Sequence, residues 1–105
     1  MRSEVLKGHL DLLLLASLAS QPGHGYALVE RLRERSGGAF ALSEGTVYPA
    51  LYRLERAKLL SSRWAVSAGR RRRIYSLTRA GRRALSTQRR DWLSFVAAVK
   101  GVVGA

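Results

Sequence analysis

The chain has 105 residues and carries 19 Lys and Arg against 7 Asp and Glu, a net charge of +12. That length bounds it to a single core, and a hydrophobic share of 47% excludes a disordered basic tail. With no Cys and only two His, disulfides, thiolate zinc sites and thiol nucleophiles are excluded, and the composition suits a reducing compartment, the cytoplasm.

Arg2, the run Leu12 to Leu15 and the small residues around Ala19 imitate a secretory leader. Glu4 sits in the would-be basic region, however, and His9 and Asp11 cut an apolar stretch already far short of the ~20 residues that span a bilayer. The segment is therefore read as a first helix, residues 5–20, with no membrane role. Leu10, Leu14 and Leu18 recur at i+4, Leu13 widens their stripe, and Leu12 and Leu15 fall on other faces. Such breadth predicts burial on more than one side, against the chain's own core and against a partner subunit.

Gln21-Pro22-Gly23 reads as a turn. A second helix, residues 25–36, turns Leu28, Val29 and Leu32 inward and ends at Gly37-Gly38. Ser43 is placed to cap a third helix reaching about residue 58, with Val47, Leu51 and Leu54 as its core stripe. Pro49 is awkward there, because proline sits well only in a first turn. The reading therefore allows a start nearer Thr46 or a kink.

The period then changes to two. Residues 60–67 alternate, 74–77 are rich in strand formers, and Ala68-Gly69 followed by Arg70, Arg71, Arg72 and Arg73 lies between them. This predicts a β-hairpin with a basic tip. Thr78 caps a long last helix, residues 79–102, in which Gly81, Leu85, Gln88, Trp92, Phe95, Val99 and Val102 step by four and three. So long a seam at the end of a small domain calls for another helix to lie against it.

The charge is confined. Residues 53–90 hold thirteen basic residues against Glu55 alone, while the flanking segments cancel internally. Sixteen of the nineteen cations are Arg, whose planar fork grips phosphates and guanine edges. A block of this kind is aimed at a polyanion. Catalysis has little to work with. No Ser-His-Asp set, carboxylate pair or glycine-rich phosphate loop occurs, and no catalytic residue, metal site or cofactor is expected.

The predicted fold class is mainly α with a small β-hairpin, a winged helix-turn-helix in the order α-α-α-β-β-α. Residues 1–78 form the DNA-binding domain and residues 79–105 a C-terminal dimerisation helix. The third helix suits a major groove about 12 Å wide, and the hairpin is the wing beside it. At this point the chain resembles the PadR-type regulators. The resemblance runs through His24-Gly25-Tyr26-Ala27-Leu28, the stretch Ser43-Glu44-Gly45-Thr46-Val47-Tyr48-Pro49-Ala50-Leu51-Tyr52-Arg53-Leu54-Glu55, Leu59-Leu60, and Gly69 through the arginines to Ile74-Tyr75-Ser76-Leu77-Thr78-Arg79-Ala80-Gly81. One departure is a wing poor in the acidic residues common before its turn. The resemblance implies a dimeric repressor joined through its C-terminal helix, whose small-molecule site, where one exists, often lies at the dimer interface.

On this reading the DNA-contacting residues are Tyr26, Ser43, Gly45, Thr46, Tyr48, Arg53 and Arg70 to Arg73. The bland roles beside these are capping for Ser43, packing for Tyr26 and Tyr48, and turn geometry for Gly45. The dimer interface is expected to use Leu10, Leu14, Leu85, Trp92, Phe95, Val96, Val99 and Val102. Trp92 reads first as dimer core and second as a platform for a small aromatic effector. The partners are thus double-stranded DNA on a palindromic operator and a second copy of the chain. The rival reading is a winged helix that uses its basic face on RNA or an acidic protein.

Overall fold

The computed structural model describes residues 3–104; Met1, Arg2 and Ala105, at the ends of the two expected domains, lie outside them. The elements run α1 (Ser3–Lys7), α2 (Leu10–Ser20), α3 (Gly25–Arg35), α4 (Glu44–Arg56), β1 (Leu60–Ser67), β2 (Arg70–Leu77) and α5 (Arg79–Val103). The fold is mostly helical with one antiparallel hairpin and a C-terminal helix, as expected. One boundary needs correcting. The predicted first helix is broken at Gly8-His9 into α1 and α2, because glycine is a poor helix former and His9 leaves helical geometry at φ −122°.

Each later boundary has a visible cause. At the start of α3 the His24 ring accepts a hydrogen bond from Ala27 N at 3.1 Å through Nδ1. Its end is a Schellman arrangement: Gly37 N donates to Glu34 O and Gly38 N to Arg33 O, with both glycines at positive φ. Ser43 Oγ caps α4 by accepting from Thr46 N at 3.2 Å. Pro49 lies inside α4, which nonetheless starts at Glu44. The missing proline N–H forfeits one internal bond near the first turn without ending the helix. The end of α4 repeats the Schellman pattern with Lys58, not glycine, at φ 65°.

The hairpin corrects the predicted basic tip. Only Ala68 and Gly69 turn the chain, both at positive φ, and all four arginines belong to β2. A two-residue turn of this hand matches the twist of the paired strands, so no longer loop is needed. The register places Trp64 opposite Arg73 and Val66 opposite Arg71 on one face, with Ala65 opposite Arg72 and Ser67 opposite Arg70 on the other.

Leu14, Leu15, Leu18, Leu28, Leu32, Val47, Leu51, Leu54, Leu60, Tyr75 and Leu85 close a core between α2, α3, α4, the hairpin base and the start of α5. Leu10, Leu14 and Leu85, expected at a dimer interface, belong to it. They are 8%, 0% and 5% exposed and have no surface left for a partner. Beyond Leu85, α5 runs on past α1 and α2, with Trp92 and Phe95 bordering a hollow shared with Lys7 and Leu12, and the molecule extends to 50 Å along its longest axis. Gly81 lets the start of α5 sit directly against the hairpin base, since a Cβ there would collide with Leu59 O.

Candidate nucleic-acid interface

One helical face of α4 is spent on the core through Val47, Ala50, Leu51 and Leu54. The other carries Gly45, Tyr48 and Tyr52 at i, i+3 and i+7. Tyr48 is fixed by α3: its ring lies where a Cβ on Gly25 would come within 2.4 Å, so only glycine lets the two helices approach this closely. The turn before α3 is in turn sewn to the hairpin. Gly23 N donates to Tyr75 O at 3.1 Å, and Tyr75 N donates to Gly23 O at 2.9 Å. The hairpin thereby stands across from α4, and an open cleft of about 680 Å³ separates them.

Tyr26, Glu44, Tyr48 and Tyr52 line one side of this cleft; Trp64, Tyr75 and Arg70 to Arg73 line the other. Four guanidinium groups face one carboxylate, so the cleft is cationic. The four arginines are not equivalent. Arg73 is held by α4, with Nε donating to Ser62 Oγ at 2.8 Å and Nη2 lying 3.7 Å from Glu55 Oε2, while Ser62 itself donates to Glu55. Arg72 is half-buried and donates to His24 Nδ1 at 3.5 Å. Arg70 and Arg71 are exposed, and the Arg71 guanidinium lies 4.7 Å above the Trp64 ring. Arg73 lies 5.4 Å from the same ring, so Trp64 braces two of the four.

Burial, then Arg72 and Arg31, hold the His24 imidazole below its ordinary pKa, with Glu44 opposing them. A neutral ring whose Nδ1 is free to accept is what the α3 cap requires. Burial, with a smaller effect of Tyr52, pushes the Tyr75 hydroxyl up to about 12, and among the described residues that buried hydroxyl finds no hydrogen-bond partner. It stays neutral beneath the cleft.

The cleft thus gathers Tyr26, Tyr48 and Arg70 to Arg73 from the sequence reading. Ser43, Gly45 and Thr46 stand at the start of α4, off the cleft walls. Ser43 Oγ is engaged by Thr46 N and Thr46 Oγ1, while the Cα of Gly45 faces open space apart from Ser43 Oγ. Arg53 does not line the cleft. It makes a two-pronged bond to Asp11, with 2.9 and 2.7 Å separations, on the side of the molecule that faces Trp92 and Phe95. That bond raises its pKa further. Its position on α4 points it toward α2, a fact of helical phase that a charge count does not resolve.

Trp64, Tyr52 and the Glu55–Ser62–Arg73 latch were absent from the expected set. Alternation along β1 already placed Trp64 on one face with Ser62, and the register adds the arginines to it. On the far side of the molecule, Trp92, Phe95, Val99 and Val102 are exposed and Val96 is half-buried. Trp92 separates two hollows of about 460 and 550 Å³, the larger lined mainly by apolar side chains of α1 and α2. Among the described residues, no group of three His, Asp or Glu converges to hold a metal, and no helix is long and apolar enough to cross a membrane.

Comparison with known proteins identifies the family. Residues 14–87 match the transcriptional regulator PadR-like family. The chain is 40% identical over 87 residues to a transcriptional regulator of Mycobacterium tuberculosis, spanning 83% of this chain and 78% of that one. A PadR family transcriptional regulator from Eggerthella lenta superposes with a TM-score of 0.84 at 30% identity, covering 97% of this chain and 88% of that one. A transcriptional regulator from Clostridium thermocellum shares the fold, with a TM-score of 0.88 over 98% of both chains at 23% identity.

Proposed function

Because this chain belongs to the PadR-like family of transcriptional regulators, and so is not an enzyme, we propose that it is a sequence-specific repressor acting as a homodimer on a palindromic operator. The cationic cleft between α4 and the hairpin is the observation that carries this reading. The exposed start of α4 enters a major groove. Arg70 and Arg71, with Arg72 behind them, meet the adjoining phosphates or minor groove. Residues 1–78 serve as the DNA-binding unit and residues 79–105 as the dimerisation helix. Trp92, Phe95, Val96, Val99 and Val102 form the pairing surface, whose exposure on a single subunit supports a second copy. Work on chromosomal DNA sets the protein in the cytoplasm.

Selection from random duplexes tests the reading. Enrichment of an inverted repeat with half-sites about one or two helical turns apart is expected. Uniform, salt-sensitive retention of all sequences would instead favour a basic module for RNA or an acidic protein. The hollows beside Trp92 support release by a small aromatic ligand, which changes the angle between subunits and so the spacing of the two α4 helices. Ligand titration followed by Trp fluorescence reads this directly. A Trp92→Ala variant that keeps the full response would remove Trp92 from the role.

A further inference from the structure

A second cationic surface lies outside the cleft, on α5. Arg79, Arg82, Arg83 and Arg90 fall at i, i+3, i+4 and i+11, which the helical period gathers on one face. Gly81, Leu85, Trp92 and Val99 occupy the opposite face by the same period. All four arginines are exposed, and among the described residues none takes part in an ion pair. No residue of α5 lines the cleft.

The row works against the helix that carries it. Arg79, Arg82 and Arg83 crowd the N-terminal end, where the helix dipole disfavours cations, and the first turn contains no acid. Arg79 and Arg83 also repel as a like-charge i, i+4 pair. Capping does not require them, since Thr78 Oγ accepts from Gly81 N at 3.0 Å. Solubility is served equally by charges of both signs spread over a surface. From Arg79 to Arg90 the row covers about 16 Å of helix, enough to lie along several phosphates of a duplex, whose charges recur about every 1.7 Å of axis. Arginine also matches the phosphate group better than lysine does.

We propose that this row is a second, sequence-independent contact for the phosphate backbone of duplex DNA, taking up DNA outside the segment held by the cleft. The proposal rests on the DNA-binding reading above. It gives the protein a footprint longer than its operator, with a base preference set by the cleft alone.

The test compares anisotropy titrations on an operator duplex of about 20 base pairs with the same operator centred in about 60 base pairs. The variants replace all four arginines by Gln or all four by Lys, and circular dichroism confirms their helix content. The Gln variant is expected to lose about tenfold or more on the long duplex and less than about twofold on the short one, with a salt slope on the long duplex shallower by about 3. The Lys variant is expected to keep most of the affinity. A Gln variant that binds the long duplex like the unmodified protein overturns the proposal, leaving the row to an acidic protein or to solvent. Equal losses on both duplexes also overturn it, because the row then belongs to the operator contact. An unmodified protein that binds neither duplex removes the DNA reading itself, a result distinct from the other two.

Discussion

Arg53, Arg71 and Arg73 carry the same guanidinium fork and meet three different surroundings. Arg53 is gripped by Asp11, Arg73 by Glu55 and Ser62, and Arg71 only by the face of Trp64. A fork already answered by a carboxylate is a poor phosphate ligand, because its partner must be displaced first. Arg53→Ala is therefore expected to change operator affinity by less than about twofold, and Arg71→Ala to weaken it about tenfold, the size of one charged contact. Anisotropy titrations at fixed salt compare them, and a larger loss for Arg53→Ala would place that side chain on the DNA after all.

His24 couples the α3 cap to pH. Its folded pKa lies below the ordinary value of 6.5, so the folded state binds fewer protons than the unfolded chain as pH falls through that range. The stabilisation it gives is thus present above pH 6.5 and is lost as pH drops through the depressed folded value. His24→Asn keeps a capping oxygen but does not titrate. Urea unfolding at pH 8 and pH 5 is expected to show the unmodified protein losing more stability on acidification than the variant. Equal losses would free His24 from the pH dependence.

At the scale of elements, the boundaries owe much to local chemistry, and most of that chemistry was legible. The caps at Ser43 and Thr78, the Gly37-Gly38 stop and the strand alternation each announce themselves within a few residues of sequence. The break at Gly8-His9, the course of the arginines along β2 and the Gly23–Tyr75 bridge did not. Gly8 is itself a break signal, but the leucine run that follows it carries the apolar helical period and masks the interruption. Four identical residues carry no alternation from which to read a strand, and a bridge between segments 52 positions apart leaves no local period. Pro49 conflicts with a helix interior, and core burial of Val47, Ala50 and Leu51 on either side of it carries the helix through.

Lys58 marks a strained boundary. It takes a left-handed conformation that glycine adopts freely, in a tight turn where Thr78 Oγ1 donates to Lys58 O at 2.7 Å. Lys58→Gly is expected to stabilise the fold by about 1 kcal/mol, whereas Gly81→Ala, which drives a methyl into Leu59 O, is expected to destabilise it by about 2 kcal/mol or more. Thermal unfolding measures both. A neutral Gly81→Ala would mean that α5 can slide away from the hairpin base at little cost.

For the molecule as a whole, charge was the most legible property. The basic block was evident from counting, yet the fold divides it between the cleft, the α5 row and the Arg53–Asp11 pair. The apolar residues expected at a pairing surface include three, Leu10, Leu14 and Leu85, that the chain buries itself. Leu10, Leu14 and Leu85 repeat with helical spacing just as Trp92 and Phe95 do, and periodicity alone cannot tell a core from a pairing surface. Phe95, at 60% exposure, separates the two. Phe95→Asp is expected to yield monomers by light scattering, with each subunit still folded and operator affinity reduced by at least about tenfold. If about six phosphates are neutralised per dimer, log K for the unmodified protein should fall with log salt at a slope near −5.

In the proposed function, the start of α4 and the hairpin form one duplex-binding surface. Hydrogen exchange on the protein with and without its selected short operator tests it segment by segment. Slower exchange in residues 43–52 together with residues 62–73 is the predicted result. No slowing in those two segments, or slowing confined to residues 79–103, would contradict it.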